Sequence, residues 1–535
     1  MLNDHVDPPV DTPQDAPSEP AESRRPATGW LAAAGGLAAG VVTIGCAEFL
    51  AGVFLREGWS DGTPSPVLAV GGAFIDRTPP WLKTFAVDNF GTNDKHVLLG
   101  GIAVVLVLLS LLIGWLMRRF FTAALVLFVL LIAVAAAAVT SRPHAGAVDL
   151  GPLVIGAVAG LVTLHLWRDH VVLAETDGAG FATTRRSILI GGGAAVGAAL
   201  LGVLGRAWSE SARAVQAARN AFVLPHVARP VTVPDGASVG VPGVTPYISS
   251  NGDFYRIDTA LVVPQVDPAS WRLRVTGMVD HEIEIDWDTL LSKKMQEAMI
   301  TLMCVSNEVG GHLNGNAIWT GWPVRELLAQ AGVQSGADMV LSRSVDGFTA
   351  GTPLSAMTDD RNALIAVAMN GEALPAEHGF PVRLVVPGLY GYVSATKWLT
   401  ELKLTTYEKD AGYWTPRGWS PMGPVKTASR IDVPRSGAKV DAGMVAVAGV
   451  AWRQHVGIAK VQVRVDNGAW HDAQLGAGAN DDVWRQWVFE WDAKPGHHSL
   501  TVRAVDKKGQ VQVAASAPPA PNGSTGYHSI SVTVR

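Results

Sequence analysis

The stretch TLMCVSNEVGGHLNGNAIW places Cys304 at the end of an apolar, strand-like run (AMITLM) and just ahead of a polar, glycine-containing loop. A thiol at that position can reach a ligand, whereas one inside the strand would pack away. The chain has only 2 cysteines, and the other, Cys46, lies in a membrane-length apolar run, so they cannot form a disulfide framework. Besides a plain interior cysteine, three chemistries compete for a lone thiol. A cysteine hydrolase would pair it with a histidine base, and His312 or His378 could serve, but spacing identifies no acidic or amide residue to orient that base. A zinc site wants several closely spaced Cys or His ligands, and the sequence offers none around Cys304. A soft, high-valent metal carried by an organic cofactor needs one protein thiolate, since the cofactor brings the other sulfurs. The single cysteine suits this third chemistry best.

The elements that must position Cys304 follow from the periodicity around it. Between residues 247 and 434, short alternating strands such as WRLRVTG and GFPVRLVVPG interleave with helical patterns such as PVRELLAQAGV, which predicts an α+β domain. Over 435–535 the texture changes to period-2 alternation. Val461, Val463 and Val465 share a face ahead of a turn at Asn467 and Gly468; Trp487, Phe489 and Trp491 repeat the alternation, as do Leu500, Val502 and Ala504, then Ile530, Val532 and Val534. Strands without intervening helices predict a β-sandwich of immunoglobulin type, without the antibody disulfide. Residues 206–246 read as a linker: a short helix in RAWSESARAVQAARNAF, then a Pro/Gly-rich extended run ending near Tyr247.

The chain's net charge of -5 argues against a nucleic-acid partner. Charged residues make up 17% of the chain, below the usual ~25%, and the deficit falls in the first 205 residues. Residues 1–28, rich in Pro, Asp, Glu and Ala, predict a disordered tail. Residues 29–205 predict an α-helical membrane bundle of five spans: Trp30–Phe54, Val97–Met117, Phe120–Val139, Leu150–Trp167 and Ile188–Leu204. Arg24, Arg25, Arg118, Arg119, Arg168, Arg185 and Arg186 all fall on one side if the N-terminus is cytoplasmic, which puts everything after Leu204 outside a bacterial cytoplasmic membrane. The run TTRRSILIGGGAAVGAALLG resembles a twin-arginine export signal, which moves folded domains, although Ile188 stands where such signals usually carry Phe; the alternative is an ordinary positive-inside pair. Haem is not expected in the bundle, since His165 is the one histidine well inside a span and a haem b needs two axial ligands. Glu48, in the first span, is an intramembrane carboxylate without an assigned role.

The segments NGDFYRIDTALVVPQVDPASWRLRVTG, LMCVSNEVGG, WTGWPVRELLAQAGV and AVAMNGEALPAEHGFPVRLVVPGLYGYVSATKWLTELKL resemble the sulfite oxidase family of molybdopterin enzymes, from about Tyr247 to Arg535. The resemblance implies molybdenum held by the Cys304 thiolate and a pterin cofactor, of unspecified form, whose anionic phosphate wants cationic and amide donors. His378, Arg383 and Lys397, in HGFPVR and KWL, match cofactor-binding positions; Asn251, Tyr255, Arg256, Asn307, Asp346 and Ser394 are further candidates. Cys304, Tyr392 and Glu308 are the catalytic candidates.

One departure bears on the substrate. Sulfite-oxidising members carry an arginine shortly after the cysteine and another before the KWL element; here those places hold CVSNEVGG, with Glu308, and LYGYVSAT, with Tyr390 and Tyr392. A carboxylate at the mouth would repel a divalent oxyanion that arginine would bind. The resemblance implies two-electron oxygen-atom transfer on a small substrate, a separate electron-transfer partner and a sandwich used for homodimer contacts, while the departure makes sulfite itself a doubtful substrate. The rival expectation is a membrane-anchored receptor or adhesin with a degenerate cofactor domain, in which Trp414, Trp419, Trp452 and Trp484 anchor an interface instead of filling the core.

Overall fold

The structure is a computed structural model and describes residues 28–60, 62–79, 82, 85–86, 89–90, 93–142, 145–176, 196–197 and 210–535. It divides into two compact units. One takes the described parts of Met1–Ala47, Ala103–Ala133 and Val154–Gly202; the other takes Glu48–Ile102, Val134–Leu153 and Val203–Arg535.

Among the described residues, four helices are long and apolar enough to cross a membrane: Gly29–Arg56, Asp94–Met117, Phe121–Thr140 and Ala147–Asp169. Within the first unit, small residues let backbones meet. A Cβ on Gly36 would lie 2.1 Å from the Ser110 carbonyl oxygen, and one on Gly114 would lie 2.3 Å from that of Ala32. Close approach of this kind holds helices together where lipid removes the hydrophobic drive. The Trp167 indole adds a hydrogen bond to the Leu31 carbonyl at 2.8 Å. The predicted fifth span, apart from residues 196–197, lies outside the described residues, as does the Arg185–Arg186 pair.

In the second unit, ten strands follow residue 271: β1 (Arg272–Gly277), β2 (Ile283–Asp286), β3 (Gln296–Met303), β4 (Asn314–Pro323), β5 (Met339–Ser344), β6 (Thr349–Pro353), β7 (Leu364–Met369), β8 (Glu372–Ala373), β9 (Arg383–Val385) and β10 (Leu399–Thr405). They form a mixed sheet β2-β1-β10-β5-β6, with β1 parallel to β10, and a second sheet β3-β4-β7-β8 whose β7 also pairs β9. The helix Val324–Ala331 follows β4, so this half is α+β. β7 is buried along its whole length, as an unbroken LIAVAM run requires. The core between these elements includes Trp271, Leu273, Met299, Trp322, Ile365, Leu384 and Leu402.

The remaining strands are β11 (Ala428–Val433), β12 (Ala438–Val440), β13 (Gly443–Trp452), β14 (Ile458–Val465), β15 (Trp470–Asp472), β16 (Gln474–Leu475), β17 (Arg485–Ala493), β18 (Gly496–Asp506) and β19 (His528–Val534). Two sheets result, β11-β13-β17-β16 and β12-β19-β18-β14-β15, around a common core of Val447, Val461, Val463, Trp487, Leu500, Val502 and Ile530. The first strand, β11, starts ahead of the boundary drawn at residue 434.

The two β-rich halves are joined by more than chain continuity. Trp484 donates to the Tyr247 carbonyl at 2.9 Å, Asn480 to Met299 at 3.1 Å and Gln454 to Thr301 at 3.2 Å. The segment expected to be a plain linker is a strap: Val239 donates to the Gln486 side chain at 2.8 Å and Thr245 to that of Asp432 at 3.0 Å. Trp452 and Trp484 are buried, which removes them as interface anchors.

Candidate functional site

β3 delivers Cys304 to the floor of a cleft, and the loop that follows is closed by its own polar groups. Cys304 donates its N–H to the Leu313 carbonyl at 2.9 Å, and the buried Asn307 side chain accepts from the Leu313 N–H at 2.7 Å. The cleft encloses about 900 Å³, open solvent included. Its walls come from four stretches: Phe254–Thr259, Ser344–Phe348, His378–Arg383 and Gly391–Trp398. Trp414 and Trp419 line it as well.

One wall is cationic. Lys397 donates to Asp258 at 2.7 Å and to the Glu377 carbonyl at 3.1 Å; Arg256 donates to the same Asp258 oxygen at 2.9 Å, and Lys95 pairs with the other oxygen. Three cations thus share one carboxylate. Despite its burial, the flanking lysines and Arg256 hold Asp258 far below the usual carboxylate range. Burial lowers Lys397 to about 8, against the pull of Asp258.

Arg383 is 5% exposed and packs 4.8 Å above the Trp319 ring. It donates to the His378 carbonyl at 3.1 Å and to that of Ala395 at 3.4 Å, and its Nε is buried without a partner. Burial lowers its pKa to about 10. No carboxylate pairs with Arg383 among the described residues, so the wall carries more positive charge than it can neutralise. His378 bonds through Nε2 to the Asn251 carbonyl at 3.0 Å, and burial lowers it to about 4, so the ring is neutral at pH 7.

Another part of the lining is aromatic. Tyr392 and Trp419 lie 5.9 Å apart between ring centres, Trp419 and Trp414 6.3 Å, and Trp414 and Tyr413 5.1 Å. The Tyr392 hydroxyl donates to the Ser420 carbonyl at 2.6 Å, and burial raises its pKa. Burial also pushes the Cys304 thiol and the Tyr255 phenol up.

A thiol raised by burial is a poor nucleophile, His378 is tied to Asn251, and His312 lies away from the cleft. The arrangement therefore departs from a cysteine hydrolase. It fits instead a group that one thiolate anchors and a cationic wall neutralises. A molybdenum–pterin cofactor matches that donor set, with an orphaned guanidinium Nε and excess positive charge for its anionic end.

Residues 260–414 match the family model described as "Oxidoreductase molybdopterin binding domain". The "Uncharacterized oxidoreductase YuiH" of Bacillus subtilis is 32% identical over 157 residues, covering 29% of this chain and 76% of that protein. The chain belongs to the sulfite oxidase family of molybdopterin-dependent oxidoreductases. Mitochondrial sulfite oxidase of Homo sapiens is 30% identical over 321 residues, covering 51% of this chain and 58% of that protein. The chain thus spans a little over half the length of such relatives. The solved structure of the sulfane dehydrogenase SoxCD from Paracoccus pantotrophus superposes with a TM-score of 0.47 at 22% identity, over 58% of this chain and 90% of that one.

In this family member, Cys304, Tyr392, Tyr255, Asp346, His378, Arg383 and Lys397 all line the cleft. Asp346 is partly engaged within it, accepting from Thr259 Oγ1 at 3.3 Å. The other candidates stand elsewhere, each for a visible reason. Glu308 is exposed and lines a separate, smaller cleft with Asn307, Tyr390 and Ser524, so it is not at the mouth beside Cys304. Asn307 spends its side-chain oxygen on closing the loop. The fully buried Ser394 donates to the Tyr390 carbonyl at 2.9 Å, a turn-stabilising bond. Asn251 uses its side chain on Asn370 and Met369 and reaches the site through its backbone carbonyl, which holds His378. Arg256 acts through Asp258 and does not line the cleft. Asp258, Lys95 and the rim residues Phe348, Trp414 and Trp419 escaped sequence reasoning as site residues. The one local signal was the acid two positions after Arg256; nothing local pointed to Lys95.

Proposed function

We propose that this protein is a membrane-anchored oxidoreductase on the extracytoplasmic side of a bacterial membrane, carrying out two-electron oxygen-atom transfer on a small uncharged substrate. The observation that carries the reading is a buried, carboxylate-free Arg383 beside Lys397 in the cleft that Cys304 floors. A bound molybdenum–pterin group would supply the redox chemistry and the oxygen-atom exchange.

The chain's own residues would hold that group and shape access to it. Cys304 would be the protein thiolate on the metal, and because burial keeps the free thiol protonated, its proton would leave as metal binds. Arg383 and Lys397 would bind the anionic end, with His378 as a neutral hydrogen-bonding neighbour. Tyr392 stays protonated, its hydroxyl committed to Ser420, so it orients the rim and is not a base. Phe348, Trp414 and Trp419 narrow the mouth with apolar surface and limit water.

The reading against sulfite rests on this rim. Both basic residues lining the cleft, Arg383 and Lys397, belong to the cofactor wall, and the mouth offers aromatic faces where a divalent anion would need fixed charge. Electrons would pass to or from a separate protein, and the C-terminal sandwich, of immunoglobulin type, would serve homodimer contacts.

The test is metal and pterin content of the purified full-length chain beside Cys304→Ser. Near one molybdenum per wild-type chain, with a lower content in the variant, supports the reading. A folded wild type lacking both, from a cofactor-competent host, refutes it.

A further inference from the structure

Within the second unit, a residue from the 48–102 segment reaches the cleft through Asp258. Lys95 begins the Asp94–Met117 helix, yet its ammonium pairs with Oδ1 of Asp258, 163 residues later, where the two side chains are 14% and 4% exposed. Asp258 lines the cleft, and its other oxygen takes Lys397 at 2.7 Å and Arg256 at 2.9 Å. Lys95 therefore occupies one carboxylate oxygen alone and confines Lys397 and Arg256 to the other.

A second contact reaches the rim. Asp76, on the helix Pro66–Arg77, accepts from the Tyr413 hydroxyl and from Arg142, the latter at 2.6 Å. Tyr413 packs edge-on against Trp414 at 5.1 Å and lies 5.8 Å from Phe348, both of which line the cleft. The same helix meets the catalytic half at Gly71, where a Cβ would stand 2.8 Å from Leu261. Its N-terminus is held in turn by Glu48 of the first span, which accepts from Ser65 Oγ at 2.8 Å and from the Val67 N–H at 3.1 Å. All these residues lie in one compact unit.

We propose that Lys95, in the same compact unit as the cleft, is a positioning residue of the cofactor site that acts through Asp258. This rests on the molybdopterin reading above. Lys95 acts through Asp258: it neutralises part of that carboxylate and fixes how it divides itself between Lys397 and Arg256. Removing that charge weakens retention of an anionic cofactor by about tenfold, the scale of one partly buried charge.

The experiment uses the full-length protein in detergent, with molybdenum and released pterin followed over time after dilution. Lys95→Gln is expected to lose cofactor about tenfold faster than wild type, Lys95→Arg to stay within about twofold, and Lys95→Gln/Asp258→Asn to lose it no faster than Asp258→Asn alone. The ranking of Arg above Gln separates a charge effect from a folding defect, and a thermal unfolding curve for each variant reports the latter. Equal retention by Lys95→Gln and wild type, or losses that multiply in the double variant, overturns the proposal. Wild-type protein free of molybdenum and pterin overturns the underlying reading and the proposal with it, so the two failures look different.

Discussion

Replacing Arg383 with Met separates a cofactor ligand from a structural arginine, because the two roles predict opposite patterns in apo and loaded protein. Burying a cation without an anionic partner costs several kcal/mol. Two hydrogen bonds from a charged donor return about 1.5–3 kcal/mol each, with the 3.4 Å bond to Ala395 at the weak end, and stacking on Trp319 returns about 0.5–2 kcal/mol. These nearly cancel, so Arg383→Met leaves the apo protein within about 2 kcal/mol of wild type, a Tm change of no more than about 6 °C. With an anionic cofactor bound, the variant loses one or two charge-assisted hydrogen bonds. About 3 kcal/mol is lost, or roughly a hundredfold in affinity. The assay pairs thermal unfolding of apo protein, made in a host without pterin synthesis, with molybdenum and pterin retention of loaded protein. An apo Tm lowered by more than about 10 °C, together with unchanged retention, would refute the assignment and make Arg383 a strut for the His378 and Ala395 carbonyls.

Glu308→Gln is expected to leave metal content and turnover at wild-type levels, since that carboxylate lines the other cleft. Asn307→Ala should destabilise the chain by about 1–3 kcal/mol in denaturant unfolding, because the Leu313 N–H loses its acceptor; Asn307→Asp, which keeps the acceptor, should lose less. Lys397 gives a pH signature with two signs. It is a cation below about 8 and neutral above, so cofactor retention should fall as pH rises through 8, a trend that Lys397→Arg should flatten. For the apo fold the sign reverses: between about 8 and the ordinary lysine value of 10.5 the unfolded chain binds more protons, so this group's contribution to stability rises with pH.

Much of the fold could be read from periodicity. The hairpin at Asn467 and Gly468, the alternation of Trp487 with Trp491 and the four apolar helices among the described residues are local patterns with one favourable way to bury their faces. The strap of residues 222–246 was less legible, because its hydrogen bonds go to Gln486 and Asp432, far along the chain.

For the site, the sequence alone put a lone thiol at a strand end, and the resemblance to the sulfite oxidase family implied His378, Arg383 and Lys397 as its companions. Tertiary structure decided which way the polar side chains of the loops turn. Asn307 and Ser394 were claimed by backbone groups inside their own turns, Glu308 went to another cleft, and Asn251 acts through its carbonyl. Only the tertiary fold could bring Lys95 to Asp258 and Asp76 to Tyr413. A salt bridge spanning 163 residues leaves no trace in local periodicity. Its energy depends on burial, and burial belongs to the assembled fold.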